Sequence, residues 1–188
     1  GKMVKDPSNW TMALGTGIPL MVAMTFIAST IPALLSYGYS FEFASGVFAI
    51  CGVFAIIGSF LFGVIDQKIG TKKATALYIA FMFVAIICAI FMENSAVLVW
   101  VACVVLMAAN GSARNLIPSF VGTRYGRWDY PAAYSMIGTI AMLGGGLGIM
   151  LTGLFPTYRS MYIFDIVMLV VSMICCLVTK DTFIGKKG

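Results

Sequence analysis

Six apolar blocks, separated by short polar or charged breaks, fill nearly the whole chain: Trp10–Leu35, Phe43–Ile65, Ala74–Met92, Ala96–Val121, Ala132–Phe155 and Met161–Thr179. The shortest covers 19 residues. At about 1.5 Å per residue, even that length spans most of a hydrocarbon core roughly 30 Å thick. A membrane β-barrel would instead show alternating segments of about ten residues. The blocks are continuous, so the pattern predicts six transmembrane helices in one domain, with spans at 10–35, 43–65, 74–92, 96–121, 132–155 and 161–179. The first block is too long for the apolar core of a signal peptide and is read as a retained helix.

Composition agrees. With 61% hydrophobic and 10% charged residues, a soluble domain of this size would have too little polar surface. The positive charges add an orientation. Lys2, Lys5, Lys68, Lys72, Lys73, Arg124, Arg127, Lys180, Lys186 and Lys187 all fall on one set of breaks, whereas the other set holds Glu42, Glu93 and Arg159. The positive-inside rule then predicts a multi-pass protein of the inner (plasma) membrane with both termini in the cytoplasm. Trp10, Tyr125, Trp128 and Tyr130 fall at the inner ends of the spans, and Tyr37, Tyr39, Trp100, Tyr158 and Tyr162 at the outer ends, as an aromatic belt requires. The net charge of +5 is accounted for by topology, and no nucleic-acid partner is expected.

Catalytic chemistry finds little to work with. The chain has no histidine, which removes imidazole metal ligands and serine–histidine pairs alike, and Ser112 has no candidate base in its own segment. All five cysteines (Cys51, Cys88, Cys103, Cys175, Cys176) lie inside apolar blocks, where thiols act as small hydrophobes, so no disulfide is expected. No enzyme activity, metal or cofactor is expected.

The break Gly63-Val64-Ile65-Asp66-Gln67-Lys68-Ile69-Gly70-Thr71-Lys72-Lys73 resembles the loop between the second and third helices of each half of the major facilitator superfamily. In that family's pattern a glycine is followed by an acid, a basic residue, a second glycine and further basic residues. Gly63, Lys68, Gly70, Lys72 and Lys73 match; Gln67 stands at the acidic position, and Asp66 comes one residue early. Asn110-Gly111-Ser112-Ala113-Arg114-Asn115-Leu116-Ile117-Pro118-Ser119, with Tyr125-Gly126-Arg127-Trp128-Asp129-Tyr130 after it, is similar to the tenth helix and following loop of bacterial members, including relatives of the oxalate/formate antiporters. Lys5-Asp6-Pro7-Ser8-Asn9-Trp10 looks like the start of the seventh helix. The resemblance implies an all-α fold of two inverted three-helix repeats, the C-terminal half of a twelve-helix secondary transporter. It also implies alternating access against a second six-helix half or a self-dimer, with a small polar or anionic solute as cargo. A stand-alone six-helix scaffold or sensor without transport is the other reading.

In that architecture the first and fourth helices of a half line the cavity, and the third and sixth support them from outside. The polarity is distributed to match. The first block carries Thr25 and Ser29, and the fourth carries Asn110 and Arg114, so these four are the candidate solute-binding residues. Gly63, Asp66, Lys68, Gly70, Lys72 and Lys73 form the candidate cytoplasmic gating loop. The third block is apolar from Ile79 to Met92 apart from Cys88, as suits a helix facing lipid over much of its surface. Gly144 and Gly148, four apart, predict close helix packing.

Two charges fall within spans, each costing roughly 2.5–3.5 kcal/mol at a helix centre. Arg114 is about 27 Å past the outer start of its helix, and Asp165 about 6 Å past the start of its own. They are too far apart to pair. Asp165 is expected to sit near Arg159 or outer-face water. Arg114 shares a stripe with Asn110, Gly111 and Pro118, and is read either as a solute ligand or as a side chain reaching for the inner headgroups.

Overall fold

The computed structural model describes residues 6–179; Lys2, Lys5, Lys180, Lys186 and Lys187 lie outside them. The described residues form five α-helices and one 3₁₀ turn, with no strand: α1 (Pro7–Ser36), α2 (Phe41–Ile69), α3 (Thr71–Ile90), the turn Met92–Asn94, α4 (Ala96–Leu151) and α5 (Tyr158–Val178). All five are long and apolar enough to cross a membrane.

Every helix start except that of α3 carries a side-chain cap. The Asp6 carboxylate accepts from the Ser8 amide at 2.9 Å ahead of Pro7, which stands where no N–H is needed. The hydroxyls of Ser40, Ser95 and Thr157 accept from Phe43, Val97 and Ser160 in the same way. Inside α1, Pro19 brings no N–H to the Gly15 carbonyl, and the Ser172 hydroxyl of α5 donates to that carbonyl at 2.9 Å. A helix–helix contact thus satisfies the group the proline frees, as a low-dielectric setting demands.

The ends differ from those read off the sequence. Asp66, Lys68, Lys72 and Lys73 are helical, and only Gly70 separates α2 from α3, with φ 86° and ψ 150°, a conformation open to glycine. The fourth and fifth predicted spans both fall in the 56-residue stretch α4, which is two helices meeting at a kink where a polar loop was expected. As a straight rod α4 would run about 84 Å, nearly three times the hydrocarbon core. It is not straight: Gly126 has φ 63° and ψ −165°, and the helix breaks there.

The two arms of α4 run in opposite directions along α1. Asp6 bonds Arg124 and Asn9 bonds Tyr125, while Met12 and Ala13 cluster with Phe120 and Val121, so the first arm descends as α1 rises. Gly17 packs at Ala141 and Gly144, and Met21 at Gly148, so the second arm rises with it. Helix α2 is parallel to the first arm, with contacts that advance together from Ala55 and Gly58 against Ala108 and Gly111 to Asp66 against Ser119. Helix α5 lies antiparallel between α1 and α3, tied by Ser172 to Gly15, by Tyr162 to Ser29 and by Cys176 to Lys72.

Close approach depends on small residues. A β-carbon on Gly58 would stand 2.0 Å from the Ala108 carbonyl oxygen, and one on Gly111 1.9 Å from that of Ala55. On the other side of the bundle, a β-carbon on Gly144 would stand 2.9 Å from the Gly17 oxygen and one on Gly148 2.2 Å from the Met21 oxygen. The small-residue spacing in the fifth block is therefore a packing device. Helix α3 is only half outward: Tyr78, Ile79, Met82 and Ile86 are buried, while Phe81, Val84 and Ile87 face out. The most exposed helix is α2, which packs mainly on α4 and turns Val53, Ile57, Phe60 and Leu61 outward.

Candidate functional site

Arg114 stands between two grooves. One, about 700 Å³, lies between α2 and the first arm of α4, with Ser59, Gln67, Asn110 and Asn115 supplying its polar lining and Gly63 and Gly111 in its walls. The other, about 560 Å³, lies between α1 and both arms of α4 and is mostly apolar: Leu20, Met24, Ile117, Met142 and Ile149, with Tyr134. Arg114 lines both.

Local sequence explains why this stretch of α4 is available to a ligand. Asn110 and Arg114 are one turn apart and share a face. Gly111 lets α2 approach until Asn115 can donate to Ser59, at 3.1 Å to its carbonyl and 2.8 Å to its hydroxyl. That bond engages Asn115 and leaves Asn110 and Arg114 toward the groove. Pro118, one turn further on, supplies no N–H to the Arg114 carbonyl, so that oxygen is a second polar group at the same spot. Arg114 itself is exposed and makes no hydrogen bond or ion pair to any described residue. Its guanidinium presents five donors in a planar fork, the geometry that suits a carboxylate or phosphate oxygen pair.

Two of the four candidate ligands lie elsewhere. Thr25 is fully buried and donates to the Met21 carbonyl at 2.9 Å and to the Gly148 carbonyl at 3.1 Å, joining α1 to the second arm of α4. Ser29 is buried too; its hydroxyl donates to the Phe26 carbonyl at 3.2 Å and pairs with the Tyr162 hydroxyl at 3.1 Å. Both turn toward neighbouring helices, and neither lines the grooves at Arg114.

The candidate gating residues surround the joint at Gly70 but engage different elements. Ser119 of α4 donates to Asp66 at 2.6 Å, and the Thr71 hydroxyl lies 3.2 Å from Ser119 and 3.3 Å from Thr123, so one polar cluster ties the α2–α3 joint to α4. Lys72 donates to the Thr179 carbonyl at 2.8 Å, where a cation caps the end of α5. Lys68 and Lys73 are exposed.

One feature escaped the sequence reading. Arg124, taken there as a loop cation, is 3% exposed and bonded to Asp6 at 2.7 Å. Beside it Tyr125 donates to Asn9, and the Arg124 guanidinium carbon lies 5.9 Å from the Tyr125 ring centroid. The start of α1 is thereby clamped next to the break at Gly126. Burial alone would raise the Asp6 carboxyl, but the Ser8 amide and Arg124 outweigh it and hold the group below its ordinary value. Asp6-Pro7-Ser8 marked a helix cap in the sequence, but nothing there linked it to Arg124, 118 residues away.

No match is found among curated proteins. The family model described as Major Facilitator Superfamily matches residues 3–187, and members of that family are membrane transporters. With its five long apolar helices and its grooved face, the chain belongs to the Major Facilitator Superfamily.

Proposed function

We propose that the chain forms a six-pass half of a secondary transporter, the two arms of α4 counting as separate passes, and that it carries a small anionic solute by alternating access. The observation that carries this reading is Arg114, an exposed and unpaired guanidinium between a polar groove and an apolar one. A charge at that depth is costly, and a solute anion would offset the cost. The grooves are lined by α1, α2 and α4, while α3 and α5 pack behind, so a second six-helix body, or a second copy of this one, would complete the path. Asn110 assists Arg114 in the polar groove, and the apolar groove takes the carbon skeleton of the solute.

Uptake of a panel of small carboxylates by the complete transporter, at matched surface expression, tests this. Losing a bidentate, charge-assisted contact removes about 1.5–3 kcal/mol. Arg114→Gln should therefore reduce uptake by about tenfold or more, and Arg114→Lys should also fall well below wild type because an ammonium cannot form the fork. Near-normal uptake by both variants would overturn the assignment.

The inner end of the bundle, with Gly70, Lys73 and Gly126, is assigned to the cytoplasm from the loop charges. In a cysteine-free background, Lys73→Cys should resist impermeant maleimide added to intact cells, and Asn94→Cys should react; both positions are exposed. Labelling of Lys73→Cys from outside would reverse the orientation.

A further inference from the structure

Asp165 is a buried acid with no part in the groove at Arg114. It lies on α5 one turn below Met161, has 0% exposure, and neither of its carboxyl oxygens meets a hydrogen-bond donor. The expectation that it pairs with Arg159 or reaches outer water fails: Arg159 is exposed six residues earlier, and no ion pair joins the two. On α1, the bonds from Ser172 to Gly15 and from Tyr162 to Ser29 bracket its level, placing it opposite the stretch that holds the buried Val22 and Phe26.

The elements packed against α5 are α1 and α3. Their titratable and charged groups among the described residues are Asp6 and Tyr37 at the two ends of α1, and Lys72, Lys73, Tyr78 and Cys88 on α3. The lysines sit at the inner end, where Lys72 caps α5. On α5 itself, Tyr162 stands one turn away with its hydroxyl paired to Ser29, and Cys103 of α4 is buried in the same core. Tyr158, Cys175 and Cys176 are further along the same helix. Among the described residues, no cation on these elements is paired with Asp165.

We propose that Asp165 is a proton-binding site between α1 and α5, separate from the groove at Arg114, and filled and emptied through the outer end of the bundle. An isolated carboxylate ion in this position is held at far greater cost than the neutral acid. A neutral acid with unmet hydrogen bonds is in turn poorer than leucine, so the acid's use lies in visiting both states. A route to water is at hand. A cavity of about 150 Å³ at the outer end is lined by Thr152, Phe155, Pro156, Thr157, Tyr158 and Met161. Met161, one of these lining residues, is four residues before Asp165 on the same face of α5, and its side chain is unbranched and flexible. On uptake, an O–H bond forms at the carboxylate as one breaks in hydronium, leaving water; release is the reverse, and no electrons are transferred.

Infrared spectra of the full chain in lipid, in H₂O and in D₂O, test the site without knowledge of any solute. The wild type at neutral pH should show a carboxylic-acid carbonyl band that is lost in Asp165→Asn, is retained at a shifted frequency in Asp165→Glu, and moves on transfer to D₂O. If Asp165→Asn does not fold, carboxyl-¹³C aspartate in the wild type identifies the band by its isotope shift. Absence of the band would mean a carboxylate ion and would overturn the proposal. So would a band that never responds to D₂O, which marks a sealed structural acid, and so would loss of the band when sodium chloride replaces choline chloride, which marks a metal-cation site.

Discussion

Gly58→Leu is expected to unfold the bundle at denaturant levels the wild type withstands, with a loss at or above about 3 kcal/mol, the top of the usual overpacking range. The contact leaves no room: even the first carbon of a side chain would lie 2.0 Å from the Ala108 carbonyl oxygen and 2.6 Å from its α-carbon. These are backbone atoms of α4, so neither rotamer change nor trimming can relieve the clash. Gly58→Ala should therefore also destabilise, and Gly58→Ala combined with Ala108→Gly should not recover. Gly111→Leu should match Gly58→Leu, because the mirror contact puts its β-carbon 1.9 Å from the Ala55 oxygen. The control is Gly52, on the same helix with open space around it. There alanine should change stability by no more than about 1 kcal/mol and in the favourable direction, since alanine is the better helix former. Unfolding by detergent titration, followed by circular dichroism, reads these variants together with Gly52→Leu. Equal behaviour of Gly58→Leu and Gly52→Leu would show that α2 and α4 do not pack as described.

The spans were legible because hydrocarbon imposes a length on apolar runs, and each predicted block lies on a helix for nearly all its length. The helix ends were not, because polarity marks where the chain leaves the membrane and not where hydrogen bonding stops. Asp66 to Lys68 and Thr71 to Lys73 are polar yet helical, and so is most of 122–131. At this end of the bundle the helices are interrupted at Gly70 and Gly126, both with positive φ. Because Gly126 is the interruption between them, the fourth and fifth spans meet at a kink with no loop between.

Among the candidate ligands, Arg114 stood out in the sequence as a lone arginine within a span; it lines both grooves, and Asn110 lines the polar one. The hydroxyls of Thr25 and Ser29 gave no such discrimination. A threonine in an apolar helix satisfies a neighbouring backbone as readily as it faces a cavity, and the sequence does not say which helix lies opposite. Arg124 failed for the same reason, since its carboxylate partner is 118 residues away.

That distant pair should make the protein acid-sensitive. Asp6 is held below its ordinary carboxylate value in the folded state, chiefly by the Ser8 amide and Arg124 acting against burial. A depressed group stabilises the fold in full above its unfolded value, and the contribution disappears as pH falls through the folded one. Stability measured by detergent titration should therefore be level near neutrality and decline below the ordinary aspartate range. Asp6→Asn should remove the same contribution at neutral pH, about 1–2 kcal/mol, because Arg124 is left buried without its carboxylate and partial exposure of Asp6 moderates the loss. The variant should also show a shallower acid decline than wild type, the difference between the two curves closing at low pH. High salt should barely reduce the wild-type contribution, since a guanidinium 3% exposed is poorly screened. A wild type and Asp6→Asn variant with the same neutral stability would mean that the clamp between the start of α1 and the Gly126 break does not hold the inner end together.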